Sequence, residues 1–391
     1  MPEDVVAIDT NKRFFSLFNI VSTLIVILGV VLTILRFTKG LDSVTNLSDY
    51  NPWGIWIGFD LLVGVALAAG GFVTSAAVYI FGMKKYHTAV RPAILTGFLG
   101  YALVVLALHY DVGRPWRLPY PFIVQHGTTS VLFEVGGCVA LYLTVLFLEF
   151  SSVPMEWLGL KRVRALVVRL TILLTIFGVI LSTLHQSSLG ALFLIAPSKI
   201  HPLWYSKYLP VYFFITAIIA GFSMVIFESS LSHRFFSYKM DKEHLASKET
   251  LFLGFGKAAS FSLAGYFVIK VIGISVSNNW HYLSTGYGMW YLVELLGFVA
   301  LPSFIYAIGV REKNTKLIQI AAIWTVLGII LNRFNVSLVA FNWHLPSTER
   351  YFPHWMEIGI SLFIVTVGLL LYRFIVTRMP VLYEHKNYKS H

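Results

Sequence analysis

The sequence predicts an all-α integral membrane protein of about ten transmembrane helices, and its composition carries the first part of that prediction. Of the 391 residues, 57% are hydrophobic, and the mean hydropathy is +0.73. Only 13% are charged, whereas soluble domains carry about 25% charged residues. A water-soluble fold of this size cannot bury so much apolar surface, so the chain is expected to lie in a lipid bilayer.

Ten apolar runs supply the predicted spans, because a hydrocarbon core of about 30 Å needs about 20 apolar residues per helix. The runs occupy residues 14–36, 54–82, 92–110, 130–150, 166–186, 209–231, 251–276, 291–310, 317–340 and 354–376. The first run follows a polar segment, 1–13, and no small-residue cleavage site comes after it. It is also too long for a signal peptide, so we expect the first span to remain.

The distribution of Lys and Arg predicts the orientation. Segments 1–13 and 377–391 and the loops after spans 2, 4, 6 and 8 hold 20 basic residues, when Arg169 and Arg373 are counted with their nearest span ends. The loops on the other side, counted with Arg36, hold 7. Positively charged loops stay in the cytoplasm, so both termini are expected there, in a multi-pass protein of the inner (cytoplasmic) cell membrane. The net charge of +11 then reflects cytoplasmic loops and anionic lipid, and no nucleic-acid partner is expected.

The outer loops are rich in aromatic residues, as in NPWGIW, GRPWRLPYPF and NNWHYLSTGYGMW. Trp and Tyr are common at membrane interfaces, which explains any single one of them. The cytoplasmic loops contain far fewer Trp residues, however, and aromatic and Arg side chains are enriched where proteins bind one another. The outer face as a whole therefore suits a docking surface for an extracytoplasmic partner.

Ionisable side chains inside the spans are costly and mark candidate functional positions. A count from the outer edge, at about 1.5 Å per residue, places five of them in one outer layer of spans 2–5: Asp60, His109, Asp111, Glu134 and His185. Tyr101 lies deeper on span 3. A carboxyl group and an imidazole at one depth suit a site that exchanges protons, which favours Glu134 and His185. For Asp111 and Arg114, a local ion pair is an equal alternative.

A second set of charged residues, Lys270, Glu294, Arg333 and Glu357, lies in the outer halves or ends of spans 7–10. Two interpretations remain open. The set forms ion pairs that hold helices together, such as Lys270 with Glu294 or Arg333 with Glu357, or it takes part in proton translocation.

The sequence predicts no redox group or metal site of the chain's own. Its single cysteine, Cys138, cannot hold an iron–sulfur cluster, which needs about four thiolates. A transmembrane haem needs axial histidines that face each other within helices. Of the twelve histidines only His109 and His185 touch spans, both at span ends. Any redox role would therefore need a partner.

Several segments resemble the HybB branch of the NrfD (polysulfide reductase NrfD) family, whose members are quinone-reactive membrane subunits. They are NPWGIWIGFDLLVGVALAAGG, HYDVGRPWRLPY, VLFE, HQSSLG, HPLW and SLVAFN, in family order between about residues 50 and 375. The resemblance implies a transmembrane domain, 14–376, with two four-helix bundles at about 54–186 and 209–340 and flanking helices 1 and 10. It also implies a ferredoxin-like iron–sulfur subunit docked on the outer face, inside a multisubunit oxidoreductase complex.

The resemblance further implies a quinone site near the outer side of the first bundle. Glu134, His185, Asp60 and Tyr101 would exchange protons there, and menaquinone is the expected quinone. The lining would come from His109, Asp111, Arg114, Trp116 and Gln186. The type of complex, the direction of electron flow and any proton pumping stay open. A transporter or ion pump without redox chemistry and a passive membrane anchor remain the alternatives, although a lone transporter has little need of Trp-rich docking loops.

Overall fold

The computed structural model describes residues 16–384; the predicted cytoplasmic segment 1–13 and the tail from residue 385 lie outside the described residues. Ten helices are long and apolar enough to cross a membrane. In chain order they are α1 Leu17–Lys39, α2 Trp56–Ile80, α3 Lys84–Asp111, α4 Val131–Trp157, α5 Lys161–Ile195, α6 Leu209–Phe235, α7 Lys242–Val276, α8 Gly286–Arg311, α9 Thr315–Val339 and α10 Trp355–Arg378.

These helices confirm the ten predicted spans and the all-α fold class, and the protein is a multi-pass membrane protein. The described residues form no β-strand, only an isolated bridge between Ile200 and Phe341. Some helices run past their apolar stretch: α5 and α7 each have 35 residues, about 52 Å at 1.5 Å per residue. Since the hydrocarbon core is about 30 Å thick, their ends must reach the headgroup region or beyond.

The helices alternate in direction, and the edge where α1, α3, α5, α7 and α9 end is called the outer edge below. Helix α2 is the most enclosed, with 83% of its most apolar window buried, against 17% for α1. It contacts α3, α5 and α6, while α6 also contacts α5, α7 and α9. Helices α1 and α10 pack on each other at the periphery, and α10 also contacts α3.

Four segments of π-helix interrupt these α-helices, at Trp56–Leu61, Ala76–Ile80, Val293–Ala300 and Asn335–Val339. Such segments add a residue to a turn and therefore rotate the side chains beyond them around the helix axis. The segments of α2 and α9 lie together near the outer edge, where a Cβ atom on Gly58 would come within 2.9 Å of the Ser337 hydroxyl oxygen. A glycine is therefore required for this close approach.

The outer loops form a packed layer. His201 donates its backbone N–H to the carbonyl oxygen of Ala340 at 3.0 Å. The side chain of Asn342 donates to the Asn51 side-chain oxygen at 2.9 Å, and Asn51 donates to the carbonyl oxygen of Glu349 at 2.8 Å. Loops that are distant in sequence are thus fixed to one another over the outer ends of the helices.

Candidate functional site

The side chain of Glu134 lies in the first turn of α4, at the outer edge, and is exposed. One of its carboxyl oxygens accepts a hydrogen bond of 2.6 Å from the hydroxyl group of Ser188 on α5. Ser188 is only 4% exposed. An immobile hydroxyl group therefore holds a carboxyl group whose other side remains accessible from outside the helical core.

Below this pair, α5 turns one polar face inward, at i, i+3 and i+4: Ser182, His185 and Gln186. All three side chains are fully buried. In the described part of the chain, neither ring nitrogen of His185 has a hydrogen-bond partner, and the Ser182 hydroxyl also lacks one. Gln186 donates to the carbonyl oxygen of Val65 on α2 at 3.1 Å, while its own side-chain oxygen stays unpartnered.

Two buried tyrosines face these groups from α3 and α4. The ring of Tyr101 lies 5.6 Å from the His185 ring and 4.7 Å, edge to face, from the ring of Tyr142, measured between centroids. Neither tyrosine hydroxyl has a partner among residues 16–384. Buried polar groups are nearly always hydrogen-bonded, so this cluster of unpaired donors and acceptors calls for ordered water or a bound polar molecule.

Asp60 does not join this cluster, contrary to the expectation of one shared polar layer in helices 2–5. It lies in the π-helical segment at the start of α2, buried, and accepts a hydrogen bond of 2.6 Å from Ser361 on α10. The side chain therefore faces the peripheral pair α1 and α10. A count of residues along the span gives depth in the membrane but not the side of the helix, which is why the expectation failed.

The end of α3 belongs to the same peripheral region as Asp60. Arg36 of α1, 2% exposed, donates to the carbonyl oxygens of Tyr110 at 2.7 Å and Val112 at 2.9 Å, on either side of Asp111. No ion pair of the described residues joins Asp111 to Arg114, and one Asp111 oxygen is buried without a partner. The proposed local pair with Arg114 is thus not formed.

The remaining predicted lining residues lie at or above the outer edge. The Nδ1 atom of His109 is 2.7 Å from the carbonyl oxygen of Val105, one turn earlier in α3. Arg114 is exposed, and Trp116 is 69% exposed, in the loop between α3 and α4. The structure therefore brings Glu134, His185, Tyr101 and Gln186 into one region and leaves the loop residues at its surface.

Comparison with known proteins assigns the chain to a family. The family model described as polysulphide reductase, NrfD, matches residues 43–342, which include this whole region. The chain belongs to the NrfD family. A protein from Nitratidesulfovibrio vulgaris Hildenborough is 66% identical over 98% of both chains.

Two further relatives are similar to the chain over most of its length. The probable Ni/Fe-hydrogenase 2 b-type cytochrome subunit of Escherichia coli K12 is 34% identical over 92% of this chain and 90% of its own. The menaquinone reductase integral membrane subunit of N. vulgaris Hildenborough is 29% identical over 87% of this chain and 85% of its own. The similarity to both extends over nearly the entire NrfD-family chain.

The second set of charged residues centres on Glu294, in the π-helical segment of α8. Its carboxyl oxygens accept hydrogen bonds from the Trp204 indole at 2.8 Å, from Asn332 at 2.7 Å and from Asn335. Three donors from two other parts of the chain thus surround one buried carboxyl group, which links the outer loop before α6 to α8 and α9.

The ion pairs suggested for this set are not formed. Within the described residues, none joins Lys270 to Glu294 or Arg333 to Glu357. Lys270 Nζ instead lies 5.1 and 4.9 Å from the centroids of two tyrosine rings, and the Arg333 guanidinium lies 3.8 Å from that of Phe213. Glu357 accepts backbone N–H bonds at the start of α10. Cation–π contacts and a helix cap replace the expected pairs.

Two cavities inside the helical core, with volumes of about 30 and 10 Å³, have room for water only. The larger lies at the edge opposite the outer one, beside Glu228 and His244, and the smaller lies beside Glu294. Neither is lined by Glu134 or His185. A ring-sized ligand would therefore reach Glu134 from the exposed side of α4 and not through these cavities.

Sequence reasoning missed Ser188, Ser182, Tyr142, Arg36 and Ser361. Ser182 could have been found from its spacing, because it lies three residues before His185 and therefore on the same face of the helix. Arg36 is the last residue of the first apolar run, and this position gives no sign that its side chain is buried against the end of α3. Ser188 lies in the family-like segment HQSSLG, but neither it nor Ser361 differs from other serines in the sequence, since buried serines are common in membrane helices. Among residues 16–384, no group of three or more His, Cys, Asp or Glu side chains is arranged to hold a metal ion.

Proposed function

We propose that this chain is the quinone-reactive membrane subunit of a multisubunit oxidoreductase complex. The observation that carries the proposal is the hydrogen bond from the buried Ser188 to the accessible Glu134 carboxyl group, one helical turn from His185 on α5. Within the described structure, the buried His185 ring has no hydrogen-bond partner. Membership of the NrfD family and the names of the hydrogenase-linked and menaquinone-reducing relatives support the proposal.

The substrate in this proposal is a membrane quinone. Menaquinone is the first candidate, because one relative is named as a menaquinone reductase subunit. Quinone chemistry exchanges two electrons and two protons with its surroundings. Glu134 and His185 supply groups that give or accept protons at the quinone oxygens, and Ser188 orients the Glu134 carboxyl group. Tyr101 and Gln186 are further hydrogen-bonding groups for the ring or for water beside it. His109 lies at the outer end of α3 beside the exposed loop, whereas Asp60 and Asp111 face the peripheral helices and take no direct part in this proposal.

The electrons come from, or go to, a partner subunit. We propose a ferredoxin-like iron–sulfur subunit on the outer face, against the exposed loop that contains Arg114 and Trp116. A docked cluster near that loop would lie close to Glu134, which begins the next helix. The chain itself is proposed to bind neither haem nor an iron–sulfur cluster and to be inactive alone. With both termini in the cytoplasm, as the distribution of basic residues predicts, the proposed proton exchange takes place on the outer side of the cell membrane.

Replacement of Glu134 by Gln in the purified complex, with its partner subunits retained, tests the proposal. The amide keeps the size of the side chain but cannot carry the proton, so we expect quinol oxidation or quinone reduction to fall about 100-fold. Turnover is followed optically with a menaquinone analogue. Glu249→Gln, at an exposed position of α7, is the matched control.

Three outcomes separate the interpretations. An assembled Glu134→Gln complex that has lost turnover, beside an active control, supports the proton-coupled quinone site. An assembled complex with unchanged turnover makes Glu134 structural and favours a passive anchor or a transporter. Loss of the partner subunits from the variant alone would assign Glu134 to docking instead of chemistry.

A further inference from the structure

The face of α5 that points away from the other helices carries two arginines near its start. Arg162 and Arg169 are seven residues apart, which brings them within about 20° around the axis and about 10.5 Å along it. Both are exposed, and no ion pair or hydrogen bond joins either side chain to another described residue. Arg164, on the inward side of the same helix, pairs instead with the buried Glu156 at 3.1 Å.

The same face continues toward the outer edge as a row of large aliphatic side chains. Leu166, Leu173, Ile176 and Ile180 all fall within about 40° of Arg162 around the helix axis. They are between 42% and 58% exposed. The small residue Gly178 is turned inward, where an added Cβ would lie 3.5 Å from Tyr142. Helix–helix interfaces in membranes are enriched in small residues. A row of large, exposed aliphatic side chains is instead typical of a face that contacts lipid chains.

The depth of the arginines is marked by Trp157, 51% exposed at the end of α4, directly before α5 begins. Exposed Trp side chains lie at headgroup level, so the Cα of Arg162 lies at that level and the Cα of Arg169 about 10 Å deeper, from where its long side chain extends back toward the headgroups. An arginine at this depth needs an anionic partner, and a phosphate group matches the planar guanidinium in charge and geometry.

We infer that this face of α5 binds an anionic phospholipid, with its phosphate between Arg162 and Arg169 and its acyl chains along the aliphatic row. The charge of the arginines and the lipid-like row point to the same occupant. This site lies on the outside of α5, at the edge opposite Glu134, and does not depend on quinone chemistry. The two arginines alone could bind any phosphate group. The row of four aliphatic side chains beside them favours an intact lipid over a free phosphate.

The test is native mass spectrometry of the purified complex in detergent, titrated with phosphatidylglycerol, cardiolipin or the zwitterionic phosphatidylethanolamine. We expect the anionic lipids to bind more tightly, and the variant Arg162→Gln/Arg169→Gln to lose about fivefold in affinity per arginine, about 25-fold in all. The control Lys313→Gln/Lys316→Gln removes the same charge from exposed positions at the same edge and should change affinity less than twofold. Elution volume and subunit content verify that the variants assemble.

Three results would overturn the inference. The first is equal affinity of the double variant and the wild type for anionic lipid, and the second is equal affinity of the wild type for anionic and zwitterionic lipid. The third is a protein partner on this face, which a photoreactive residue at Leu173 would crosslink within the intact complex.

Discussion

At the scale of single residues, the Glu134 carboxyl group is positioned by a single hydrogen bond in the described structure, from Ser188. Ser188→Ala removes this bond and leaves the carboxyl group free to rotate. A hydrogen bond to a carboxyl group contributes about 1–1.5 kcal/mol, so we expect turnover with quinone to fall roughly tenfold while the complex still assembles. Ser188→Thr, which keeps the hydroxyl group, should recover part of the activity in the same optical assay.

Ser187→Ala is the control for that experiment, because it makes the same chemical change one residue earlier, at a half-buried position. If Ser188→Ala and Ser187→Ala have the same turnover, Ser188 does not position the reacting carboxyl group.

His201, in the outer loop before α6, gives a prediction about pH. Its ring is enclosed by aromatic rings, stacked on Tyr287 at 4.7 Å and edge to face with Trp343 at 4.8 Å. Its Nδ1 atom accepts the backbone N–H of Leu203 at 3.2 Å, which requires an unprotonated Nδ1. Burial lowers the pKa of His201 to about 4. The neutral ring therefore stabilises the fold above the ordinary histidine pKa of about 6.5, and this stability is lost as the pH falls from about 6.5 to about 4.

We expect the thermal unfolding midpoint in detergent, followed by Trp fluorescence, to drop between pH 7 and pH 4.5. The His201 contribution is at most about 3 kcal/mol. His201→Gln removes the titrating group and should show a shallower pH dependence than the wild type, although it is less stable at pH 7. Parallel pH profiles for the two proteins would exclude His201 as the cause.

At the scale of elements, the helices could be predicted but their rotation could not. An apolar run of about 20 residues predicts a span, because that length of helix matches the thickness of the hydrocarbon core. Asp60 shows what is missing: it lies near the start of α2, yet it faces α10 and not His185. The π-helical segment that contains it changes the rotation of α2, and no composition signal marks that extra residue.

Arg36 gives the element-scale prediction, because it attaches the peripheral helix α1 to the end of α3. Arg36→Gln would leave the carbonyl oxygens of Tyr110 and Val112 without their charged donor. A buried acceptor without a partner costs about 1–3 kcal/mol, so we expect a lower unfolding midpoint in detergent and easier proteolysis of α1. Lys39→Gln, one turn later and exposed, is the control and should unfold like the wild type.

At the scale of the whole molecule, the candidate site was predicted in part. Glu134, His185, Tyr101 and Gln186 were chosen from the sequence, and the structure places them near one another on α3, α4 and α5. The partners that complete the region, Ser188, Ser182 and Tyr142, carry no charge, so hydropathy does not separate them from ordinary buried residues. Pairs such as Glu294 with Trp204 depend on the packing of an outer loop, which a single sequence does not reveal.

The orientation of the whole molecule is the last prediction, and the direction of proton exchange depends on it. An even number of spans predicts that both termini lie on one side of the membrane, and the excess of basic residues on that side, 20 against 7, predicts that it is the cytoplasmic side. Green fluorescent protein fused after residue 391 should therefore fluoresce. Alkaline phosphatase fused after Gly127, in the loop that precedes Glu134, should be active. The opposite pair of results would put Glu134 and its docking loop on the cytoplasmic side, where quinol oxidation would release protons into the cytoplasm instead of outside.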